Sequence, residues 1–184
     1  MAIIIEDGTM PVGANAFVSV AEADAYLSAR NISSWPIPAS DLETDQNLTA
    51  KEAAIIRASD YLNTLSWSGT KTDWNWPMSW PRKGVIVPGV YAEYIPESIV
   101  PEQVKRACME LAALFYTGEN LLAAVERGGR VASETVGPIS TSYFEDASSE
   151  TFYPAVAGLI GGLLTTIPGK AESKRYTVLK AVPC

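Results

Sequence analysis

The sequence contains no histidine and only two cysteines among its 184 residues. The chain therefore lacks the side chain that most often acts as a general base near neutral pH and most often binds zinc. Cys108 falls within an apolar helical pattern and Cys184 is the last residue, an arrangement unlike the disulfide framework of a small secreted domain. We expect a reducing, intracellular setting, with no metal and no cofactor.

Positive charge is also scarce, because 14 Lys and Arg residues stand against 21 Asp and Glu residues and the net charge is −7. An acidic protein repels phosphate backbones on average, so general nucleic-acid binding would require a local basic patch. The nearest approach to such a patch lies near the end of the chain, at Lys170, Lys174, Arg175 and Lys180.

Long hydrophobic runs are absent. The longest, residues 155–164, is about half of the roughly 20 residues that span a membrane, and the first residues lack the basic region of a signal peptide. The length suits one domain, with or without an insertion, and is short for two. We expect one soluble domain over residues 1–184 that does not contact a membrane.

No catalytic motif is present. Serines are plentiful, but no spacing places a lysine or an aspartate to activate one. The glycine pairs at 128–129 and 161–162 lack the lysine and the strand–loop–helix frame of a phosphate-binding loop. We expect no enzymatic activity.

Residues 101–117 carry the strongest helical pattern. Their apolar side chains recur at three- and four-residue steps, which places them on one helix face; they are Val104, Ala107, Cys108, Leu111, Leu114 and Phe115. Pro101 suits a first helical turn and Gly118 a helix end. This segment is predicted to be the central helix of the core.

Three further helices complete a mainly α prediction. Two Ser/Thr-x-x-Glu pairs have the spacing of capping boxes, at Ser19/Glu22 and Thr49/Glu52, and predict helices over residues 20–30 and 50–65. The apolar segment 154–164 predicts a last helix that follows Tyr153-Pro154. We expect these segments and 101–117 to form a small helical bundle.

Strand-like patterns occur in three places. Residues 2–5 are β-branched and precede an Asp-Gly turn, and residues 131–144 alternate around Gly137-Pro138, which predicts a hairpin or an extended β arm within 131–150. The C-terminal tail, residues 170–184, includes a strand-like stretch at 174–182 that could pair with a neighbouring chain. The interface candidates on the arm and the tail are Val136, Ile139, Tyr143, Tyr176, Val178 and Leu179.

Four tryptophans cluster within fourteen residues and are followed by a cation; we call this set the aromatic loop, and it consists of Trp67, Trp74, Trp76, Trp80 and Arg82. Indoles beside cations can stack on the bases of single-stranded nucleic acid. They can equally anchor an irregular loop by burial. The acidic net charge favours packing, and DNA binding remains the alternative function.

Several segments together resemble a known family. The opening at 3–30, IIIEDGTMPVGANAFVSVAEADAYLSAR, is similar to the start of head–tail connector (adaptor, or head-completion) proteins of tailed bacteriophages. The similarity continues in AAIIRASDYL at 53–62, WPRKG at 80–84, VASETVGPISTSY at 131–143 and YPAV at 153–156. The loop at 33–47 and the insertion at 98–101 are longer than is usual in that family.

The resemblance implies a structural virion protein. It implies a mainly helical domain with a β arm, assembled as a dodecameric ring under the portal protein at the head–tail interface, after synthesis in the bacterial cytoplasm. Such a ring extends the DNA channel, closes the filled head and offers the tail or tail-completion protein a surface, while DNA passes without specific binding. Some relatives carry the label of a DnaT-like single-stranded DNA-binding domain, which keeps the aromatic-loop alternative open.

Overall fold

The computed structural model describes residues 3–36, 47–118, 131–135, 140–143 and 154–166. These residues form four α-helices and one short 3-10 helix, with two small antiparallel strand pairs. The helices are α1 (Val20–Ser28), α2 (Leu48–Thr64), α3 (Glu102–Tyr116) and α4 (Pro154–Ile160), and the 3-10 helix is Gly161–Leu163. The prediction of a mainly α fold is confirmed. Within the described ranges, no helix is both long and apolar enough to cross a membrane.

Helix α3 is the centre of the core, because it contacts α1, α2 and α4. The predicted inward face is buried, except that Leu114 is half-buried. Met109, Ala112 and Ala113 are buried as well, since helices pack against α3 on more than one side. Gly118 ends the helix as expected: it has a φ of +91°, which glycine adopts without steric cost.

The start of α1 is the predicted capping box. The backbone N–H of Glu22 donates to Ser19 Oγ at 3.1 Å, and the Glu22 carboxylate accepts from the Ser19 N–H at 2.8 Å. Two N–H groups that would otherwise lack a partner at the helix start are thereby satisfied. The helix ends at Ser28, two residues before the predicted end.

The predicted capping box of α2 is wrong. The helix already begins at Leu48, so Thr49 lies inside it, and the N-cap residue Asn47 makes no side-chain capping bond. A tertiary contact holds this end instead: Lys51 Nζ is 2.9 Å from Asp24 Oδ1 of α1, and the Lys51 side chain is fully buried. Such an ion pair cannot be inferred from local spacing.

One strand prediction is wrong and another is confirmed. At residues 2–5 the described part of the chain forms only an isolated parallel bridge between Ile5 and Ala16, so the prediction of a strand there is wrong; the pairing is too short for a ladder. The predicted hairpin is present, with β3 (Val131–Thr135) antiparallel to β4 (Ser140–Tyr143). Its turn, including Val136 and Ile139, lies outside the described residues.

Another strand pair was not predicted. β1 (Thr70–Lys71) runs antiparallel to β2 (Arg82–Lys83) and closes the base of the aromatic loop. Gly69 enters this pair with a φ of +67°, and a Cβ there would lie only 2.2 Å from the carbonyl oxygen of Lys83. The close approach of the two backbones therefore requires glycine.

The end of the described chain returns to the same region. After α4, the 3-10 turn places the Leu163 carbonyl where it accepts from the Ser68 N–H at 2.9 Å, and the Thr165 N–H donates to the Ser66 carbonyl at 2.8 Å. Gly162 lies against Pro88 so closely that a Cβ would be 2.9 Å from the proline ring. Residues 161–165 thus lie beside the aromatic loop and the segment that follows it.

Candidate nucleic-acid interface

Two of the four clustered tryptophans belong to the core. Trp67 and Trp80 are buried and meet edge to face, with ring centroids 5.6 Å apart and ring planes at 82°. The Trp67 Nε1–H donates to the Leu62 carbonyl at the end of α2 at 2.8 Å. For these two side chains the packing interpretation is confirmed, and neither ring can stack on a base in this conformation.

Arg82 is also buried, and its guanidinium binds the protein itself. Nε donates to the Ser68 carbonyl at 2.8 Å and Nη1 to the Ser79 carbonyl at 3.1 Å. Nη2 donates to the carbonyls of Trp67 at 3.3 Å and Gly69 at 2.8 Å. Burial lowers the pKa of Arg82 from its usual value. The prediction that Arg82 belongs to a DNA-binding aromatic loop is therefore corrected: its donors hold the two ends of that loop together.

Trp76 joins the aromatic loop to the N-terminal segment. Its half-buried ring donates from Nε1 to Glu6 Oε2 at 2.8 Å. Glu6 is fully buried, and its other oxygen accepts from the backbone N–H groups of Gly8 at 2.8 Å and Met10 at 3.1 Å. Three donors compensate this buried carboxylate for its lost hydration, as a buried charge requires.

Trp74 is the tryptophan of the cluster that reaches solvent, with 87% of its surface exposed. It lies in a tight turn in which the Asn75 N–H donates to the Asp73 carboxylate at 2.9 Å. Two cations are nearby in the chain: Lys71 Nζ donates to the Trp76 carbonyl at 2.8 Å, and Lys83 forms an exposed ion pair with Glu97 at 3.6 Å. Of the predicted stacking set, Trp74 is therefore the one indole that is largely exposed, and a hydrogen bond from Asn75 to Asp73 holds its turn.

A second exposed surface follows in the chain and was not identified from the sequence. Residues 85–95, here called the apolar hairpin, fold back through an antiparallel bridge between Ile86 and Tyr94. Both of these side chains are exposed, as are Val90 and Tyr91 at the turn, and Tyr91 is 98% exposed. The available signal was seven large apolar residues in an eleven-residue segment that has neither helical nor strand periodicity.

The remaining interface candidates are placed only in part. Tyr143 ends β4, and its backbone is paired with Val131. Tyr176, Val178 and Leu179 lie outside the described residues, as do Val136 and Ile139. These assignments stay predictions.

Comparisons with known proteins give one match. Neither the curated proteins nor the solved structures contain a match to this chain. A family model with the description "Putative DnaT-like ssDNA binding protein" matches residues 1–182. That description names the alternative function of the aromatic loop and makes no reference to head–tail connectors. Because the match covers nearly the whole chain, the protein belongs to this DnaT-like family.

Proposed function

We propose that this protein binds single-stranded DNA and that Trp74 is its stacking residue. The observation that carries the proposal is the exposure of the Trp74 indole, in a chain whose family is described by single-stranded DNA binding. Every base has a π face, so one exposed indole supports binding that tolerates many sequences.

The contacts of the aromatic loop suit it to this role. Arg82 ties the strands at its base, and the bond from Trp76 to Glu6 fixes its far side. A turn held in this way presents Trp74 with little conformational freedom to lose on binding. Base stacking on an aromatic side chain contributes about 1–3 kcal/mol per base.

The charges around the turn predict weak binding that is sensitive to salt. Lys83 can exchange its exposed partner Glu97 for a phosphate, because an exposed ion pair contributes at most about 1 kcal/mol. Asp73 and Glu97 oppose the approach of the backbone, as does the net charge of −7. With Lys83 as the phosphate contact, affinity should fall as salt rises but only with a shallow slope, a decrease in log K of about 0.7 per tenfold increase in salt for one neutralised phosphate.

Fluorescence anisotropy of a labelled oligothymidylate at low salt, with the protein titrated to millimolar concentration, tests the proposal. Trp74→Ala should weaken binding at least about fivefold, which corresponds to the lower value for one stacked base. Val12→Ala is the matched control, because Val12 is 93% exposed on another loop. An absence of binding by the native chain at low salt, or equal affinities of the two variants, would overturn the proposal.

A second function is favoured by the apolar hairpin. Ile86, Val90, Tyr91 and Tyr94 form an exposed apolar surface on an acidic chain, and such a surface suits a protein partner better than a phosphate backbone. The head–tail connector is the protein-binding function that the sequence resemblance implies. In it, copies form a ring through unlike patches, with the β arm or the tail of one copy against the body of the next, and an acidic channel wall lets DNA slide past.

Quantitative mass spectrometry of purified virus particles tests this second function. About a dozen copies per particle, measured against the major capsid protein, would support a connector ring docked on the portal. Absence from particles would exclude it and leave single-stranded DNA binding as the proposed function.

A further inference from the structure

The apolar hairpin has unused backbone groups at both of its edges. Its two segments are joined by bonds from the Val87 N–H to the Glu93 carbonyl and from the Ile95 N–H to the Val85 carbonyl, each at 2.8 Å. In an antiparallel pair bonded in this way, the N–H and C=O groups of the intervening residues, Ile86 and Tyr94, point away from the partner segment. Among the described residues neither makes a backbone bond, so each edge can accept another strand.

The described chain ends beside this hairpin. Gly162 lies against Pro88, and Thr165 is bonded to Ser66. At most about 3.3 Å per residue, the nine residues from 166 to 175 reach up to roughly 30 Å. Residues 175–182 can therefore reach either edge of the apolar hairpin from within the same molecule, at the high effective concentration that a short tether provides.

Charge and side-chain pattern favour this segment as the occupant. Four of the 14 basic residues and one of the 21 acidic residues lie in positions 167–184, so this end carries a net charge of +3 and the rest of the chain −10. The apolar hairpin and its exit contain Glu93 and Glu97, both exposed. The β-branched and apolar sequence RYTVLKAV at 175–182 combines apolar residues for Ile86 and Tyr94 with cations for these carboxylates.

We infer that residues 175–182 bind the apolar hairpin of their own chain by strand addition at the edge formed by Ile86 or Tyr94. Backbone hydrogen bonds provide the affinity and the apolar side chains fix the register. The inference goes beyond the DNA-binding function, because it assigns the tail to a site on the same molecule. It is an alternative to the second function, in which the apolar hairpin faces a protein partner and the tail contacts the next copy. In this arrangement the chain covers its own exposed apolar surface.

Disulfide trapping tests the inference in the full chain. Val90→Cys places a thiol at the hairpin turn, and Cys184 at the end of the tail is its partner. The other native thiol, Cys108, is fully buried and does not compete. Oxidation with diamide at low protein concentration gives the rate of disulfide formation, and mass spectrometry separates disulfides within one chain from those between chains.

The decisive comparison adds one lysine to this variant at two places. Tyr94→Lys replaces an apolar side chain of the docking surface by a charge that repels the cations of the tail, and we expect it to slow disulfide formation within the chain about tenfold. Val12→Lys adds the same charge at a 93% exposed position on another loop and should leave the rate unchanged. Both variants have the same tether between the described chain and the tail, so tethering alone cannot produce a difference in their rates of disulfide formation.

Two results would overturn the inference. Equal rates with Tyr94→Lys and Val12→Lys would show that the tail samples the hairpin only because it is tethered nearby. Disulfides that appear only between chains, and disappear on dilution, would assign the hairpin to the tail of a second copy. Circular dichroism of each variant checks folding, which a substitution at the exposed Tyr94 should preserve.

Discussion

Replacing Arg82 distinguishes a structural cation from a DNA-binding one. Arg82→Ala removes four hydrogen bonds from a buried guanidinium and leaves the carbonyls of Trp67, Ser68, Ser79 and Gly69 without those donors. A hydrogen bond to a charged group contributes about 1.5–3 kcal/mol, but such values do not add when one side chain makes several of them. Water can replace part of the loss. We therefore expect unfolding to become easier by about 3 kcal/mol, as when a buried polar network is broken.

Urea unfolding followed by tryptophan fluorescence measures this loss, because Trp67 and Trp80 pack beside Arg82. In thermal unfolding, about 3 kcal/mol in a chain of this size corresponds to a Tm lower by roughly 6–12 °C. Arg82→Lys should recover part of the stability, since an ammonium offers three donors but no planar fork. Lys83→Ala is the matched control: it removes the neighbouring cation, whose ion pair is exposed, and should change stability by less than about 1 kcal/mol.

A specific combination of results would contradict the structural role of Arg82. Suppose that the free energy of unfolding of Arg82→Ala lies within about 0.5 kcal/mol of the native value but the variant loses affinity for oligothymidylate. Then Arg82 contacts DNA, and its burial is not maintained in solution. If Arg82→Ala instead loses stability, and the salt-dependent part of DNA binding is lost in Lys83→Ala but kept in Arg82→Ala, the structural assignment of Arg82 is supported.

Three other predictions concern the helices. Glu22→Gln keeps an oxygen for the capping box but removes the charge, so it should weaken the start of α1 by about 0.3–1 kcal/mol near neutral pH. Burial alone would raise the pKa of Glu22, but the hydrogen bonds from Ser19 and the charge of Lys105 lower it below its usual value. The advantage of Glu22 over the variant should therefore fade as pH drops through that lowered pKa in acid titrations of stability. Burial raises the pKa of Cys108 to about 12, so iodoacetamide at pH 8 should modify Cys108 only in unfolded protein, and modification in the folded state would show that α3 opens. Asp24→Ala should lower the free energy of unfolding in urea by about 3 kcal/mol, because it leaves the ammonium of the fully buried Lys51 without its carboxylate. A loss under about 1 kcal/mol would show that this ion pair does not hold the start of α2.

Local patterns predicted the parts of the fold that local interactions determine. The periodicity of α3 and the capping box of α1 were read correctly, because side chains three or four residues apart meet on one helix. The start of α2 was misread, since the Lys51 ion pair with Asp24 joins residues far apart in sequence. The pairing of β1 with β2 was missed for the same reason: a two-residue strand has no periodicity to detect.

The sequence shows which residues make up the candidate site, but it does not show which of their side chains are exposed. Tryptophan is both strongly hydrophobic and able to stack, so a cluster of four is compatible with a core or with a binding surface. Only the tertiary contacts show that Trp67 and Trp80 are buried against each other while Trp74 is exposed. Similarly, the sequence reveals Arg82 as a cation beside aromatic residues, but the carbonyls that surround it come from residues brought together by the fold.

If Trp74 is the one stacking residue, the affinity of a single copy for DNA is limited. One stacked base contributes about 1–3 kcal/mol, whereas a dissociation constant of 1 μM corresponds to about 8 kcal/mol. A few exposed lysines on an acidic chain cannot make up that difference at moderate salt. A single copy should therefore bind oligothymidylate no more tightly than roughly millimolar, the affinity that corresponds to about 4 kcal/mol.

Tight binding would then require several copies that present Trp74 along one strand. In that case the affinity should rise with oligonucleotide length in steps of one copy per added site, and Trp74→Ala should lose far more than fivefold on a long strand. Analytical ultracentrifugation of complexes with strands of increasing length measures both the stoichiometry and the affinity. Micromolar binding of a short strand by one copy, unchanged by Trp74→Ala, would contradict this reasoning, because a surface other than the aromatic loop would then carry the DNA.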